Sequence, residues 1–247
     1  MLKKVRIVTA TARNQVEFWH LTLLGQSLGL FPRQDNLTLS IFHQNIGGRR
    51  RGLGALYNTF LDARYSDEII LFVHDDVYLH DWHLVHRLNE ATASYDVVGL
   101  AGNTSPDFDE PSWMLAWDLG KHPGGRQPLR FLSGTVGHLV RGRTQVSHYG
   151  DSPRECGLLD GLFLAVNTKK ILEHGIRFDQ QFHFHFYDLD FCRQCLKQGL
   201  RLGTWPIAAT HGSGGGFGSQ EWLSAREAYR AKWGTDGIPS PSLTERA

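Results

Sequence analysis

The stretch DEIILFVHDDVYL, residues 67–79, decides how this chain is read. A mostly apolar run, residues 69–74, leads straight into two adjacent aspartates, Asp75 and Asp76. Neighbouring carboxylates repel each other and resist desolvation. A strand ending on them needs either a hydrogen-bonded turn or a cation at that edge. The stretch alone serves both readings, so its surroundings have to choose between them.

Upstream, residues 5–11 read as a short, β-branched buried strand, and residues 15–30 as an amphipathic helix with Phe18, Leu21, Leu24 and Leu28 at helical spacing. Residues 37–42 (LTLSIF) alternate as a second strand, and residues 52–63 read as a second helix. Strand 68–73 follows, then a helix over 82–92 and a strand over 96–101. The alternation β-α-β-α-β-α-β predicts an α/β fold with a mostly parallel sheet covered by helices. Ligands of such sheets sit at the carboxyl ends of the strands. Residues 9–14, 43–45 and 74–76 all fall there, so three polar segments converge on the edge that carries the aspartates.

Downstream the pattern loosens. Residues 103–155 are rich in Gly, Pro, Trp and Arg and predict irregular structure with short strands such as 134–140, of the kind used for binding loops. Periodicity returns at LLDGLFLAV (158–166), a strand-like run broken by Asp160-Gly161. Residues 187–198 predict a helix closed by Gly199, and LRLGTWPIA (200–208) a final strand. A glycine-rich loop holding His211 comes next, then an amphipathic helix over 221–233 and a frayed tail.

Four groups could carry chemistry: Asp75 with Asp76, Asp160, Asp188 with Asp190, and His211. Asp160 also suits a plain Asp-Gly turn, and Asp188 the acidic first turn of a helix. His211 among glycines has little packing reason to be there, which favours a ligand role. The HFHF run, residues 183–186, reads as a partly buried segment rather than a metal clip. Cys192 and Cys195 form C-x-x-C inside a predicted helix with no second half to complete a zinc site. Three cysteines suggest reduced thiols. A net charge of +1 argues against nucleic acid held by bulk electrostatics. The start MLKKVRIVTATA is no signal sequence, and no apolar run nears the roughly 20 residues of a membrane helix. A soluble, cytoplasmic protein is expected, with peripheral membrane association open.

FVHDDVYL, then LLDGLFLAVNTKKI, then FDQQFHFHFYDLDFCRQCLKQGLRLGTWPIAATHGSGG together resemble the nucleotide-sugar glycosyltransferases of the GT-A fold, especially the family 2-like group. The resemblance spans residue 5 to about residue 216 and is weakest over 103–155. It implies one Rossmann-like GT-A domain with a small additional antiparallel region. Residues 1–102 would be the nucleotide-binding half, 103–220 the acceptor and metal half, and 221–247 a C-terminal helix and tail. Asp76 matches the metal-binding end of an Asp-x-Asp motif, with Asp75 toward the ribose or the metal's water shell. His74 stands where an aspartate is usual, and Tyr187 where a glutamate is. His211 matches a late metal-ligating histidine, and Asp188 the base of inverting members. Thr9, Ala10 and Arg13 match the loop that holds the base, Asn45 continues that pocket, and Asp160 lies on the DG strand of the donor side. Arg51 would reach the diphosphate. Trp113, Trp117 and Trp205 are candidates for stacking on sugars, against ordinary packing.

The implied activity is transfer of a sugar, with inversion, from a nucleoside-diphosphate sugar (UDP favoured) to a glycan, lipid-linked or protein acceptor. Mn²⁺, or Mg²⁺, would be the cofactor. A metal-dependent nucleotidyltransferase or phosphohydrolase is the competing enzyme reading, although TATARN lacks the glycines of its usual first loop. A GT-A domain that binds sugar without catalysis is the third.

Overall fold

Residues 2–106, 108, 112–114, 129–213 and 218–234 are described by the computed structural model. Trp117, the glycines at 214–216 and the last dozen residues lie outside them. Strand β1 (Val5–Ala10) leads into α1 (Gln15–Leu21) and α2 (Leu23–Leu28), then β2 (Leu37–Phe42) and α3 (Leu53–Tyr57). The helix expected over 15–30 is therefore two. Thr22 is extended; its hydroxyl donates to Phe18 O (2.7 Å) and accepts from Gly25 N (3.0 Å), ending one helix and capping the next. The break turns Leu21 outward to 59% exposure, where the helical spacing had placed it inside. Helix α3 is also shorter than the expected 52–63.

Next come β3 (Ile69–Val73), β4 (Val77–Leu79), α4 (Leu84–Ser94), β5 (Val97–Gly99) and β6 (Ala101–Asn103). The long hairpin strands β7 (Leu132–Val140) and β8 (Arg143–Gly150) follow, then β9 (Glu155–Cys156), β10 (Leu158–Leu159) and β11 (Phe163–Asn167). Helices α5 (Thr168–Glu173) and α6 (Tyr187–Lys197), strands β12 (Leu202–Thr204) and β13 (Ala209–His211), and helix α7 (Gln220–Trp233) complete the described chain.

The strands form two sheets. The first runs β2-β1-β3-β11-β5-β12-β9. Strand β1 is parallel to β2 and β3, and β12 to β5, whereas β11 and β9 run against their neighbours. The expected parallel sheet thus holds for five strands and is interrupted by two. The second sheet, β10-β6-β7-β13-β4 with β8 on β7, is antiparallel except where β13 meets β7. It is larger than the small antiparallel region anticipated.

Two runs expected as single strands split between the sheets, and a third stops short. Residues 96–101 divide at Leu100 into β5 and β6, residues 158–166 at Asp160-Gly161 into β10 and β11, and residues 200–208 leave the first sheet after β12. The chain also crosses at His74-Asp75-Asp76, between β3 and β4. His74 N–H donates to Leu162 O (3.1 Å) and Asp160 N–H to Ala101 O (2.9 Å), which stitches the crossovers together. The two carboxylates of the opening stretch therefore lie on the seam between the sheets.

Strand β3 is wholly buried, and Phe72 packs with Tyr57 and Phe178 beneath that seam. Helix α7 is fastened to α6 by charge. Asp190, fully buried, lies 2.7 Å from Lys232 Nζ and accepts from Gln194 Nε2 (2.7 Å) and Trp233 Nε1 (2.8 Å). Arg193, 1% exposed, lies over Trp233 (4.5 Å), Phe108 (5.0 Å) and Tyr229 (5.6 Å) and donates to Phe108 O (3.2 Å). Asp190, a candidate by sequence, is thus engaged in holding the C-terminal helix. Removing one partner of a buried pair leaves an uncompensated charge, so Lys232→Met should lower stability by about 3 kcal/mol in urea denaturation. An unchanged midpoint would show that α7 is held without this pair. The cysteines are buried, and burial raises the Cys156 thiol to about 12, which keeps it inert at neutral pH.

Candidate active site

His74, Asp76 and His211 come together where β3 passes to β4. Each offers one ligand atom within 4.8 Å of the others, and this is the one such group among the described residues. Strand β13 places His211 opposite Val77 of β4, and Gly212 N–H donates to Asp76 O (2.8 Å), so backbone pairing fixes the two ligand-bearing segments. His211 Nε2 lies 3.4 Å from Asp76 Oδ1. His74 Nε2 lies 3.0 Å from the Tyr187 hydroxyl, which donates to Gly161 O at 2.7 Å. The hydroxyl proton is spent on that carbonyl, so the oxygen accepts from His74 Nε2–H. The lone pair of His74 is then left on Nδ1.

The electrostatics suit a cation. Burial pushes the Asp76 carboxyl up, but the hydrogen bond and charge of His211 outweigh it and bring it down to about 2. Burial lowers the His74 imidazole, which keeps it neutral and able to ligate. His211 is raised, because its pairing with Asp76 overcomes the opposing effect of burial. Two imidazoles and one ionised carboxylate form a donor set for a first-row divalent ion such as Mn²⁺; Mg²⁺, which prefers oxygen ligands, suits it less well.

Asp188 opens α6 beside this group. Its Oδ2 accepts from Gly161 N (2.8 Å). A Cβ on Gly161 would stand 2.5 Å from the Tyr187 hydroxyl and 2.8 Å from Asp188 Oδ2, so only glycine admits both side chains. Phe186, the residue that starts the turn into α6, is left-handed at φ 65°, a strained setting for a bulky residue. Burial, and then the neighbouring Asp160, raise the Asp188 carboxyl to about 7. Asp160 is itself held, its Oδ2 by Trp113 Nε1 (3.0 Å) and its Oδ1 by Leu162 N (3.0 Å). Asp160, Asp188, His74 and His211 line one cavity of about 180 Å³, walled by Trp113, Tyr149, Phe184 and Trp222.

A second cavity, about 280 Å³, lies on the other side of Asp76 and is lined by Arg13, Leu21, Asp75, Leu139 and Gly212. Burial raises the Asp75 carboxyl, with a Thr11 hydrogen bond opposing. Asp76 lines this cavity while its ligand partners line the first.

The remaining sequence candidates fall elsewhere. Thr9 is fully enclosed in β1, its hydroxyl without a partner among the described residues, so its side chain faces neither cavity. Ala10 is partly buried at the end of the same strand. Asn45 is spent on the backbone of Arg51, accepting from its N–H (2.7 Å) and donating to its carbonyl (3.0 Å), and neither residue lines the cavities around Asp76. Trp113 gives its N–H to Asp160, and Trp205 packs edge-on against Tyr95 and lines neither cavity.

Sequence reasoning missed His74 and Tyr187, which appeared only as departures from a motif. The signal was present in V-H-D-D: a histidine two residues before a seam carboxylate faces the same side when the chain stays extended. Tyr187→Phe should free the His74 ring and weaken Mn²⁺ binding about 10- to 100-fold in a metal titration. An unchanged affinity would remove Tyr187 from the account.

No protein-family profile matches the sequence, and no curated protein matches it. Solved structures do match in shape. GalNAc-T7, solved with UDP, GalNAc and Mn²⁺, matches at a TM-score of 0.56 and 9% identity, over 94% of this chain and 48% of that one. The mannosyltransferase PcManGT from Pyrobaculum calidifontis, solved with GDP-Man and Mn²⁺, matches at 0.51 and 13% identity, over 96% of this chain and 66% of that one. The chain has a GT-A-like fold. It spans about half the length of the first of these glycosyltransferases and about two thirds of the second. A197 from STIV, at a TM-score of 0.47 and 12% identity over 84% of this chain and 85% of that one, adds nothing to the argument. Identities this low speak for the GT-A-like fold and leave the activity to the site.

Proposed function

We propose that the chain is a metal-dependent glycosyltransferase that moves a hexosyl group from a nucleoside-diphosphate sugar to an acceptor hydroxyl with inversion. The observation that carries this reading is the seam itself, where His74, Asp76 and His211 adjoin a cavity floored by Asp188, a carboxylate raised to about 7. The UDP and GDP-mannose complexes of the two similar structures, each with Mn²⁺, support the donor class.

His74 through Nδ1, Asp76 and His211 would hold Mn²⁺, which when bound neutralises charge on the diphosphate leaving group. Arg13 and Asp75, in the adjoining cavity, would face the nucleotide. Asp188 takes the proton of the attacking hydroxyl, a task suited to a carboxylate near neutrality. The Gly161 N–H fixes its orientation. Asp160, restrained by Trp113, keeps a negative charge beside it that raises its basicity. The hydroxyl attacks opposite the departing diphosphate, so the anomeric configuration inverts. The acceptor class is a glycan, a lipid-linked saccharide or a protein, and residues 1–102 and 103–220 would divide donor from acceptor work.

Incubation with UDP-sugars and GDP-mannose in Mn²⁺ should release the nucleoside diphosphate from one of them, and EDTA should stop it. Release of pyrophosphate from a nucleoside triphosphate, with none from sugar nucleotides, would instead favour the nucleotidyltransferase reading.

A further inference from the structure

The HFHF run, residues 183–186, also borders a trough of about 410 Å³ that shares Phe184 and His185 with the Asp188 cavity. Helix α7 contributes Gln220, Ser224 and Ala228 to the same trough. Its wall is firmly held. Leu53 N–H donates to His183 O (2.7 Å), and a Cβ on Gly52 would stand 2.9 Å from His183 Cα, so the two backbones approach this closely only because residue 52 is glycine. Phe186, 4% exposed, packs on Trp222 (5.4 Å) and Tyr229 (5.3 Å) of α7. Phe184 lies nearly flat against the His74 ring (5.7 Å, 23°) and is still 41% exposed, at the boundary of the two cavities.

The trough is rich in hydrogen-bonding groups that are not yet engaged. The side chains of His183, His185, Gln220 and Ser224 line it and have no hydrogen-bond partner among the described residues. Arg50 and Glu221, also in the lining, meet at 3.5 Å with half or more of each side chain exposed, so carboxylate and guanidinium cancel. Burial lowers the His185 imidazole, which leaves it neutral, with one donor and one acceptor nitrogen. Amide, hydroxyl and imidazole thus offer donors and acceptors together, and Phe184 offers a ring face. A sugar matches this pairing: its hydroxyls need both donors and acceptors, and its C–H faces lie on aromatic rings. Other ligands fit less well. Peptide grooves offer a strand edge or apolar anchor pockets, and no strand and no aliphatic side chain larger than alanine lines this trough. An anion would find the trough's arginine already matched by Glu221. The Asp188 cavity, about 180 Å³, is smaller than the roughly 300 Å³ at which ligand pockets usually begin, so a longer acceptor has to continue outside it.

We infer that the acceptor is an oligosaccharide whose reacting ring sits beside Asp188 and whose following ring lies in the trough between residues 181–186 and α7. The role as acceptor rests on the transferase reading; the affinity of the trough for sugar does not. The contacts are with the sugar itself, whether the saccharide is free or carried on a lipid. No helix among the described residues is long and apolar enough to cross a membrane.

The test is titration of the full chain, without metal or sugar nucleotide, with lactose, cellobiose, maltose, chitobiose and mannobiose and with their monosaccharides, followed by saturation-transfer NMR. At least one disaccharide should bind at least about ten-fold tighter than its monosaccharide, and equally well in high salt, because the ligand carries no charge. Gln220→Ala should weaken that disaccharide about three- to ten-fold, the loss of one hydrogen bond. Ser224→Trp, which fills the trough from an exposed helix position, should weaken it at least about ten-fold and leave the monosaccharide unaffected. Leu223→Ser, exposed on the same helix and outside the trough, should change nothing. An octyl glycoside of the same disaccharide should bind as well as the free sugar. The inference is overturned if no disaccharide binds, if disaccharide and monosaccharide bind alike, if Ser224→Trp binds like wild type, or if only the octyl form binds. Binding of a threonine-rich peptide in place of the sugars would assign the trough to a protein acceptor and also overturn it. Binding is read without donor, so the two readings fail separately. Disaccharide binding with no transfer from any sugar nucleotide would remove the transferase reading and the acceptor role and keep the saccharide site; release of nucleoside diphosphate with no saccharide binding would remove the trough alone.

Discussion

Asp76→Ala should lose metal-dependent binding of a nucleoside diphosphate, with affinity falling at least about 100-fold, because the group's one carboxylate is gone and losing even a hydrogen-bond partner of a metal ligand costs about 10- to 100-fold. Two neutral imidazoles remain, and imidazoles alone bring no negative charge to a hard divalent ion. The size of the effect follows from how strongly the protein keeps Asp76 ionised: its carboxyl, near 2, is charged throughout the neutral range, held so by the His211 contact that a metal ion would replace. Asp76→Asn is the sharper variant. It can keep a hydrogen bond toward His211 while removing the charge, so it should bind nearly as poorly as the alanine variant. Isothermal titration of UDP and GDP in Mn²⁺ reads both. Binding of either variant at wild-type strength would place the metal elsewhere.

Asp188→Asn should bind the donor normally and transfer sugar about 10²- to 10⁴-fold more slowly, the range expected for loss of a general base. Stability should move in the opposite direction. The Asp188 carboxyl is raised to about 7 in the folded protein and sits near 4 when unfolded, so the fold retains the proton more tightly than the open chain. Ionisation therefore destabilises the fold progressively from about pH 4 to pH 7, and the full cost is present above pH 7. Asparagine removes that cost, so the variant should be more stable than wild type by up to about 4 kcal/mol at pH 8 and no more stable at pH 4. A variant that is inactive yet stabilised only at high pH is a signature of a strained catalytic carboxylate. Equal melting temperatures at pH 8 would mean that Asp188 is solvated more freely than its surroundings indicate. In wild type, the transfer rate should climb between pH 6 and 8 as the same group ionises.

The parts of the fold that could be read in advance are those where one periodicity runs uninterrupted. Strand β3 is five buried residues in a row, and α6 keeps its helical spacing from Tyr187 to Lys197. The two-sheet arrangement was hidden because strands two or three residues long carry no period. Val97–Gly99 and Ala101–Asn103 read as one run, yet belong to different sheets. Strand β8 was hidden for another reason: most of RTQVSHYG is exposed on both faces, so the alternation that marks a half-buried strand is missing. Its existence follows from pairing with β7.

The candidate site shows the same division. Asp76 and His211 drew attention through their chemistry, and the structure sets them 3.4 Å apart. His74 and Tyr187 did not, because their roles are relational. An imidazole becomes a candidate ligand only when something takes the proton position on its other nitrogen, and that partner lies 113 residues away. Thr9 and Asn45 mislead in the opposite sense. Both are polar residues at strand ends, yet one is enclosed and the other is consumed by a loop closure.

The measurement that bears most directly on the seam is a titration of Mn²⁺ into the wild-type chain with GDP or UDP present, followed through the electron paramagnetic signal of free Mn²⁺. One ion per chain should bind, its affinity should improve when the nucleotide is added, and Asp76→Ala should abolish it. Failure of the wild-type chain to take up Mn²⁺ with either nucleotide would contradict a metal-assisted reaction at His74, Asp76 and His211.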